Sequence, residues 1–190
     1  MKSVLISIHP KWCELIASGE KTIEVRKTRP KIETPFRCYI YETKARSDMP
    51  TFVDEDSHVL YTGRGQVIGE FVCDRVDIVA SICTPCMDYI TVNDKWDTHF
   101  SDISCLNVDE LGKYLGFNKD GYGWHISDLK IYDKPRELSE FYKVCNFDKC
   151  EGCPHLYVEN TPSSYETWCE FDEKMPIARP PQSWQYVEEI

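Results

Sequence analysis

The side chains best suited to chemistry lie close together in the stretch GEKTIEVR, residues 19–26. Apolar residues alternate there with Thr22, Glu24 and Arg26, which is typical of a strand that has one polar face. A carboxylate between Lys21 and Arg26 would keep its negative charge and could accept hydrogen bonds, orient the cations or act as a general base. Lys21 could bind phosphate as a cation or, if buried, act as a base itself. The same pattern is compatible with a solvated strand face that carries ordinary ion pairs.

A cluster of basic residues accompanies this stretch in a chain that is acidic overall. The formal net charge of the 190 residues is -10, yet five basic side chains fall within a short interval: Lys21, Arg26, Lys27, Arg29 and Lys31. So acidic a chain is unsuited to coating nucleic acid nonspecifically, which requires a broad basic surface. A local basic groove remains compatible with the composition, and we expect Arg29 and Lys31 to extend its contacts along a phosphate backbone.

A second candidate for chemistry is a cysteine-rich segment. The chain has 10 cysteines, and four of them have the spacing of a metal site: Cys145, Cys150, Cys153 and Cys169. A C-x2-C pair offers two thiolates to one tetrahedral ion, so we expect these four to hold a structural zinc with no open coordination position. His155 would replace a cysteine that is absent from the site. Free thiols, disulfides and an iron–sulfur cluster are the alternatives.

Cys83 and Cys86 form another C-x2-C pair. They could complete one site together with Cys150 and Cys153. Because Cys145 and Cys169 already complete a local set, we favour two semi-buried thiols at 83 and 86.

The elements that must position these residues follow from hydrophobic periodicity and from glycine and proline signals. We predict helices at 10–18 and 107–116, and a short helical segment at 134–142. We predict strands at 3–8, 21–27, 36–43, 66–80 (bent at Gly69), 121–133 and 183–187. Short strands that outnumber the helices indicate one α+β domain over 1–190, built on a small closed or half-closed barrel and carrying the cysteine-rich insertion at about 143–172.

The composition also bears on the compartment. No apolar run approaches the roughly 20 residues of a membrane span. The first residues, MKSVLISIHP, are too short and too mixed to resemble a signal peptide. We therefore expect a cytoplasmic protein with reduced cysteines and no membrane contact.

The stretch GEKTIEVR resembles the G-x-K-x-x-E-x-R signature of the ASCH family (activating signal cointegrator homology) in the PUA-like superfamily. The four signature positions are filled by Gly19, Lys21, Glu24 and Arg26. The segments PKWCELI, CYIYET, QVIGEFVCD and YGWHISDLKIYDKPRELSEF are similar as well, so the resemblance covers most of the chain. It implies a PUA-like pseudobarrel with flanking short helices, and a cleft that is lined by the signature residues and binds RNA or modified bases. The tail RPPQSWQYVEE resembles small bacterial and phage-type members, which carry a similar cysteine cluster.

This chain departs from one subgroup of the family at Glu24. Some small members hydrolyse acetylcytidine nucleosides, and others have been described as ribonucleases. In the acetylcytidine amidohydrolases the signature reads more like K-T-I-T-I-R, and the proposed machinery is the lysine, the second threonine and a distant glutamate. Lys21 matches the lysine, whereas Glu24 stands in place of that threonine and Thr22 is not its equivalent. Glu110 is a candidate for the distant glutamate by its order along the chain.

These observations lead to one functional hypothesis and two alternatives. We expect a cleft that binds RNA or a modified nucleotide through eight residues: Lys21, Thr22, Glu24, Arg26, Arg29, Lys31, Tyr41 and Trp124. The two aromatic residues would stack on bases, although aromatic residues on strands more often belong to the core. The first alternative is a hydrolase of acetylcytidine-type nucleosides or of RNA, in which Lys21 and Glu24 would transfer protons. The second is a protein-interaction module that uses the acidic surface.

Overall fold

The computed structural model describes residues 2–45, 52–53, 60–144, 156–161, 164–169 and 174–190. Its helices are α1 (Pro10–Ala17), α2 (Phe100–Ser104) and α3 (Val108–Leu115), with a 3-10 turn at Leu138–Glu140. The strands are β1 (Lys2–Ile8), β2 (Ile23–Arg26), β3 (Phe36–Glu42), β4 (Phe52–Val53), β5 (Leu60–Tyr61), β6 (Val67–Cys73), β7 (Val76–Cys83), β8 (Asp88–Val92), β9 (Lys95–Asp97), β10 (Asp120–His125), β11 (Ser127–Arg136), β12 (Leu156–Thr161), β13 (Ser164–Cys169) and β14 (Trp184–Glu188). None of the helices in these ranges is long and apolar enough to cross a membrane.

Two five-stranded sheets dominate the structure. The first sheet has the order β11-β6-β3-β1-β14, and the second has the order β2-β10-β7-β8-β9. Strands β1 and β3 are parallel, whereas β1 is antiparallel to β14 and β3 is antiparallel to β6. The remaining described strands form two separate pairs, β12-β13 and β4-β5. The mixed α+β class that the sequence predicts is therefore confirmed.

The closed form of the predicted small barrel is wrong, because the two sheets are not closed into one. Over the described residues, no hydrogen-bonded ladder connects an edge of the first sheet to an edge of the second. The reason lies in two segments that the sequence presents as single long strands. The predicted strand 66–80 divides at Asp74 and Arg75 into β6 and β7, and the predicted strand 121–133 divides at Ile126 into β10 and β11. In each case the two parts belong to different sheets.

Gly69 has a different role from the predicted bend. A side chain at this position would place its Cβ atom 2.5 Å from the backbone oxygen of Lys130 on the neighbouring strand. The glycine thus permits a close approach of β6 and β11, while the direction of the chain changes after Cys73.

Apolar clusters on both faces of the second sheet hold the molecule together. Trp124 of β10 is fully buried in a cluster with residues of the first sheet and α1, including Ile6, Phe36 and Phe71. On the opposite face, residues of β2 and β7 pack against α2 and α3. Each fully buried side chain of this size contributes about 1.5–3 kcal/mol. The second sheet is therefore fixed between the first sheet and the helices.

Capping residues define the two longer helices, close to the predicted positions. His9 precedes Pro10 and accepts a hydrogen bond from the backbone of Lys11, and Gly19, with φ 81°, follows α1. Asn107 caps α3 in a reciprocal arrangement with Glu110. These caps fix where α1 turns back into β2 and where α3 starts, which positions two walls of the site described next.

Candidate functional site

A cavity of about 560 Å³ lies beside β2. Residues from β2, α1, α3 and the ends of β1 and β3 line it, among them His9, Trp12, Lys21, Glu24, Arg26 and Tyr114. Three of the four signature residues of the sequence analysis therefore meet at one cavity. The charged side chains that line it are three cations and two carboxylates: Lys21, Arg26, Lys113, Glu24 and Glu110.

The position of β2 explains how these side chains reach the cavity. Over the described residues, strand β2 is an edge strand of the second sheet, with β10 as its neighbour. Glu24 stands opposite Trp124 and therefore shares its face of the sheet, whereas Val25 points to the helices. The predicted alternation is confirmed. The solvated strand face that the pattern also allowed is excluded, because all four residues of β2 are buried.

Lys21 is buried, with 2% of its surface exposed, and three neighbouring groups contact its amine. Its Nζ donates a hydrogen bond to the backbone oxygen of Ser104 at 2.5 Å and lies 3.6 Å from Oε2 of Glu24. The same atom lies 5.1 Å from the centre of the Trp12 ring. Burial lowers the pKa of Lys21 and the charge of Glu24 opposes this shift. The amine is therefore easier to deprotonate than that of a surface lysine.

Arg26 approaches Glu24 from the other side. Its Nη2 lies 3.0 Å from Oε1 of Glu24 and donates a hydrogen bond to the backbone oxygen of Ser7 at 2.6 Å. The Nε–H of Arg26 is buried and has no acceptor among the described residues. Each oxygen of Glu24 thus faces one cation, as the sequence pattern predicts, and Arg26 keeps donor capacity beyond these contacts.

Two aromatic residues that the sequence analysis did not select form walls of the cavity. Trp12 lies on α1 beside Lys21, and Tyr114 lies on α3 with the Lys27 amine 5.4 Å from its ring centre. Burial raises the pKa of Tyr114, and a hydrogen bond from Arg26 opposes this. The sequence could have predicted this wall, because residues 110, 113 and 114 have the i, i+3, i+4 spacing that places side chains on one face of a helix. All three of them line the cavity.

Glu110 lines the cavity but is engaged elsewhere. Its carboxylate accepts a hydrogen bond from the backbone of Asn107 at 2.9 Å and completes the cap of α3. The order along the chain made Glu110 a candidate for the distant glutamate of the amidohydrolases, and Glu110 does line the same cavity as Lys21. The contact that its carboxylate makes, however, is the cap of α3.

The other predicted ligand-binding residues lie away from the cavity. Thr22 is exposed, and Lys31 is exposed with its backbone N–H donating to the Tyr186 hydroxyl at 2.7 Å. Arg29 lines a separate pocket. Tyr41 is 7% exposed and belongs to a core cluster.

Trp124 is the clearest difference between the predicted and the observed site. It is 0% exposed, and its ring contacts those of Phe36 and Trp184. Neither Trp124 nor Tyr41 presents a face on which a base could stack. Both lie on interior strands of their sheets, where neighbouring strands and the opposing layer cover them.

The predicted zinc ligands fall mostly beyond what the structure describes. Cys145, Cys150 and Cys153, together with the alternative ligand His155, lie outside the described residues, and Cys169 is half-buried at the end of β13. Cys83 and Cys86 are exposed at the turn between β7 and β8, not semi-buried as predicted. Over the described ranges, no group of three or more histidine, cysteine or acidic side chains could hold a metal. The zinc site stays a prediction.

A second polar cluster surrounds Asp77 at the start of β7. His125 Nε2 lies 2.6 Å from Oδ2 of Asp77, and the Asn93 amide donates to Oδ1 at 3.0 Å. The Nε of Arg75 lies 3.3 Å from Oδ2, on a side chain that is 64% exposed. Burial would raise the pKa of Asp77, but the hydrogen bonds from Asn93 and His125 lower it.

Comparisons with known proteins identify one family. A family model described as ASCH domain matches residues 6–189. Among solved structures, the ASCH protein of Zymomonas mobilis is 18% identical, with 72% of this chain and 73% of that chain covered and a TM-score of 0.46. Two mutant proteins of the same source are 18% and 15% identical, with coverages of 73% and 98% of this chain, 77% and 89% of those chains, and TM-scores of 0.46 and 0.47. None of the curated proteins compared with the chain matches it significantly.

Proposed function

Because the chain belongs to the ASCH domain family, we propose that it binds RNA or a modified nucleotide in the cavity beside β2. The observation that carries this proposal is the burial of Lys21, Glu24 and Arg26 at the wall of a cavity. Removing charged groups from water costs several kcal/mol for each ion, even when the groups are paired. A buried cation with a shifted pKa at a cavity, such as Lys21, is typical of functional sites.

The cavity suits a ligand of nucleoside size. Its volume of about 560 Å³ lies within the usual range for small-molecule sites, roughly 300–1,000 Å³. Tyr114 offers an aromatic ring to a base, and Arg26 and Lys113 offer cationic donors to a phosphate or to a base edge. Glu24 would orient Lys21 and Arg26, because its two oxygens already face them.

The proposal is tested by removing the Lys21 charge and keeping the length of the side chain. Cytidine binding is measured by calorimetry, and binding of a fluorescein-labelled single-stranded RNA by fluorescence anisotropy. We expect Lys21→Met to weaken both by about tenfold or more, since a buried donor is removed from the cavity wall. Lys95→Met is the matched control, because Lys95 is exposed on β9.

Circular dichroism of both variants establishes that they are folded. Equal affinities for wild type, Lys21→Met and Lys95→Met would contradict the placement of the ligand. If neither cytidine nor RNA binds to the wild type, the protein-interaction alternative takes precedence.

One observation favours a second candidate function, hydrolysis of an acetylcytidine-type nucleoside or of RNA. The lowered pKa of Lys21 and its carboxylate neighbour suit a residue that accepts and returns a proton. Wild type and Lys21→Met would be incubated with acetylcytidine and with end-labelled RNA. Turnover by the wild type but not by Lys21→Met supports the hydrolase function. Equal turnover by the two proteins excludes a hydrolase that uses Lys21.

We also propose that Cys145, Cys150, Cys153 and Cys169 bind a structural zinc. The support is the ligand spacing in the sequence, and four thiolates suit a closed tetrahedral site. Elemental analysis of the purified wild type should give about one zinc per chain. The matched pair of variants is Cys150→Ser/Cys153→Ser, which should lose the metal, and Cys83→Ser/Cys86→Ser, which should keep it. Loss of zinc from both would indicate one site shared by the two segments.

A further inference from the structure

A second pocket, of about 370 Å³, is lined by the segment that leaves β2. It is bounded by residues 29–36 and by the start of β7, and its side chains include Arg29, Arg75, Glu33 and Thr34. Apolar walls are provided by Ile32, Phe36 and Val76. The cavity beside β2 and this pocket have no lining residue in common.

Two arginine side chains provide the positive charge of the pocket. Arg29 is exposed, and its charge lies close enough to act on the thiol of Cys73, whose sulfur also contacts the backbone oxygen of Arg75 at 3.4 Å. Both arginines line the pocket. Among the described residues, Arg29 forms no ion pair.

Arg75 is held in place without using all of its donors. Its Nε lies 3.3 Å from Asp77, and its Nη2 lies 2.9 Å from Nε2 of His125. A guanidinium has five N–H donors in a planar fork, so the Nη1 group remains available. The pocket therefore offers two exposed guanidinium groups, of which that of Arg75 contacts Asp77 and His125.

The guanidinium of Arg29 is the group in the pocket that favours an anion. The lining has two arginines and the carboxylate of Glu33, and the charge of Arg75 is met by Asp77, whereas Arg29 forms no ion pair among the described residues. Guanidinium groups match phosphate oxygens in a bidentate geometry, and the Thr34 hydroxyl adds a neutral donor. Apolar walls beside these donors suit a sugar attached to the phosphate.

The pocket also lies within reach of the cavity beside β2. Arg26 lines the cavity and Arg29 lines the pocket. Two residues lie between them, so their Cα atoms are at most about 11 Å apart. Between them, Lys27 places its amine over the Tyr114 ring at the cavity. We propose that the Arg29–Arg75 pocket binds a backbone phosphate of a single-stranded nucleic acid, and that the base in the cavity beside β2 belongs to a neighbouring nucleotide of the same strand.

This inference rests on the proposed function and specifies its ligand as a strand, not a free nucleotide. The experiment compares two probes, cytidine monophosphate and a fluorescein-labelled single-stranded RNA octamer, between about 50 and 200 mM salt. The variants are Arg29→Glu and Arg75→Gln. Lys95→Glu serves as the control for charge reversal at an exposed position of β9.

We expect Arg29→Glu to weaken octamer binding about tenfold and to reduce the salt slope by about 0.7 for each phosphate that the protein no longer neutralises. Arg75→Gln should reduce octamer affinity in the same direction, and Lys95→Glu should have less effect than either. Cytidine monophosphate should bind all four proteins equally, because the cavity beside β2 is intact. A DNA octamer of the same sequence should show the same reduction, since the arginines bind phosphate.

Octamer binding that is tight in the wild type but unchanged in Arg29→Glu and Arg75→Gln would overturn the inference and leave the proposed function standing. A reduction seen with RNA but not with DNA would overturn the assignment to phosphate. If neither the octamer nor cytidine monophosphate binds to the wild type, both the inference and the proposed function fail.

Discussion

Glu24 and Asp77 are two carboxylates on opposite faces of one sheet, and their surroundings differ. Both flank β10, since Trp124 stands opposite Glu24 and its neighbour Gly123 stands opposite Asp77. Glu24 is held by two buried cations at the wall of a cavity. Asp77 is held by an amide, an imidazole and an arginine that is mostly exposed. In the sequence, both carboxylates stand between two apolar residues of a strand. This local pattern does not indicate how much free energy each arrangement costs.

The two carboxylates differ in how well their partner groups remain solvated or paired once the carboxylate is removed. Without Glu24, Lys21 and Arg26 would be two buried cations with no counter-charge. Without the charge of Asp77, Asn93 and His125 still have a polar partner, and Arg75 still has water. Burial of the partners, more than their number, therefore sets the energetic importance of each site.

The largest expected effect is on the stability of Glu24→Gln. Breaking a buried charge network by removing one member typically costs 3–5 kcal/mol, and we expect a decrease of about that size. Urea unfolding measures it as a lower midpoint with an unchanged m value. Glu14→Gln, at an exposed position of α1, is the matched control and should differ little from the wild type. A decrease as small as that of the control would show that the cations at Glu24 are solvated.

Asp77→Asn should be less harmful. The amide retains an acceptor for one of its neighbours, so we expect a decrease of about 1–3 kcal/mol, the range for one unsatisfied buried group. Parallel urea titrations of Asp77→Asn and Glu24→Gln compare the two carboxylates directly. An equal or larger decrease for Asp77→Asn would remove the distinction between the two faces.

Substitutions of Tyr114 test whether RNA binds at the face of the sheet that carries the cavity. Tyr114→Ala should weaken RNA binding by about 1–3 kcal/mol, which is the contribution of stacking one base on an aromatic ring. Tyr114→Phe keeps the ring and should bind nearly as well as the wild type, in the same anisotropy assay. Equal effects of both substitutions would assign the binding energy to the hydroxyl, which contacts Arg26, and not to stacking.

Local sequence was sufficient for the parts of the site that lie on one strand. The spacing of Lys21, Glu24 and Arg26 predicted their common cluster, and Gly19 and Asn107 predicted where helices end and begin. Capping and alternation depend on neighbours along the chain, which the sequence displays.

Contacts between distant elements were beyond local reasoning. Trp12 and Tyr114 meet Lys21 only because two separate helices border the same edge strand. Trp124 and Tyr41 have the same strand pattern as an exposed aromatic residue, but their sheets are covered by other layers. The barrel failed for the same reason, since the division of 66–80 between two sheets depends on tertiary packing.

The smallest expected effect is a change in how stability depends on pH, and the pH range in which it occurs differs between the two faces. Burial lowers the pKa of Lys21 from its ordinary 10.5, against the effect of Glu24. Below 10.5 and above the native value, the unfolded chain therefore binds more protons than the native one. Wild type should then gain stability relative to Lys21→Met as the pH rises through that window.

Asp77 should act at the acid end instead. Burial opposes the shift, but hydrogen bonds from Asn93 and His125 lower its pKa from the ordinary 3.8. Its stabilising contribution is fully present above the unfolded value and disappears as the pH falls through the lower native value. The difference between wild type and Asp77→Asn should shrink there, while the difference from Lys21→Met should change between the lowered native pKa of Lys21 and 10.5. Unfolding curves of the three proteins across both ranges measure this. A change of both differences in the same pH range would mean that the two faces titrate as one network, which their separation by β10 argues against.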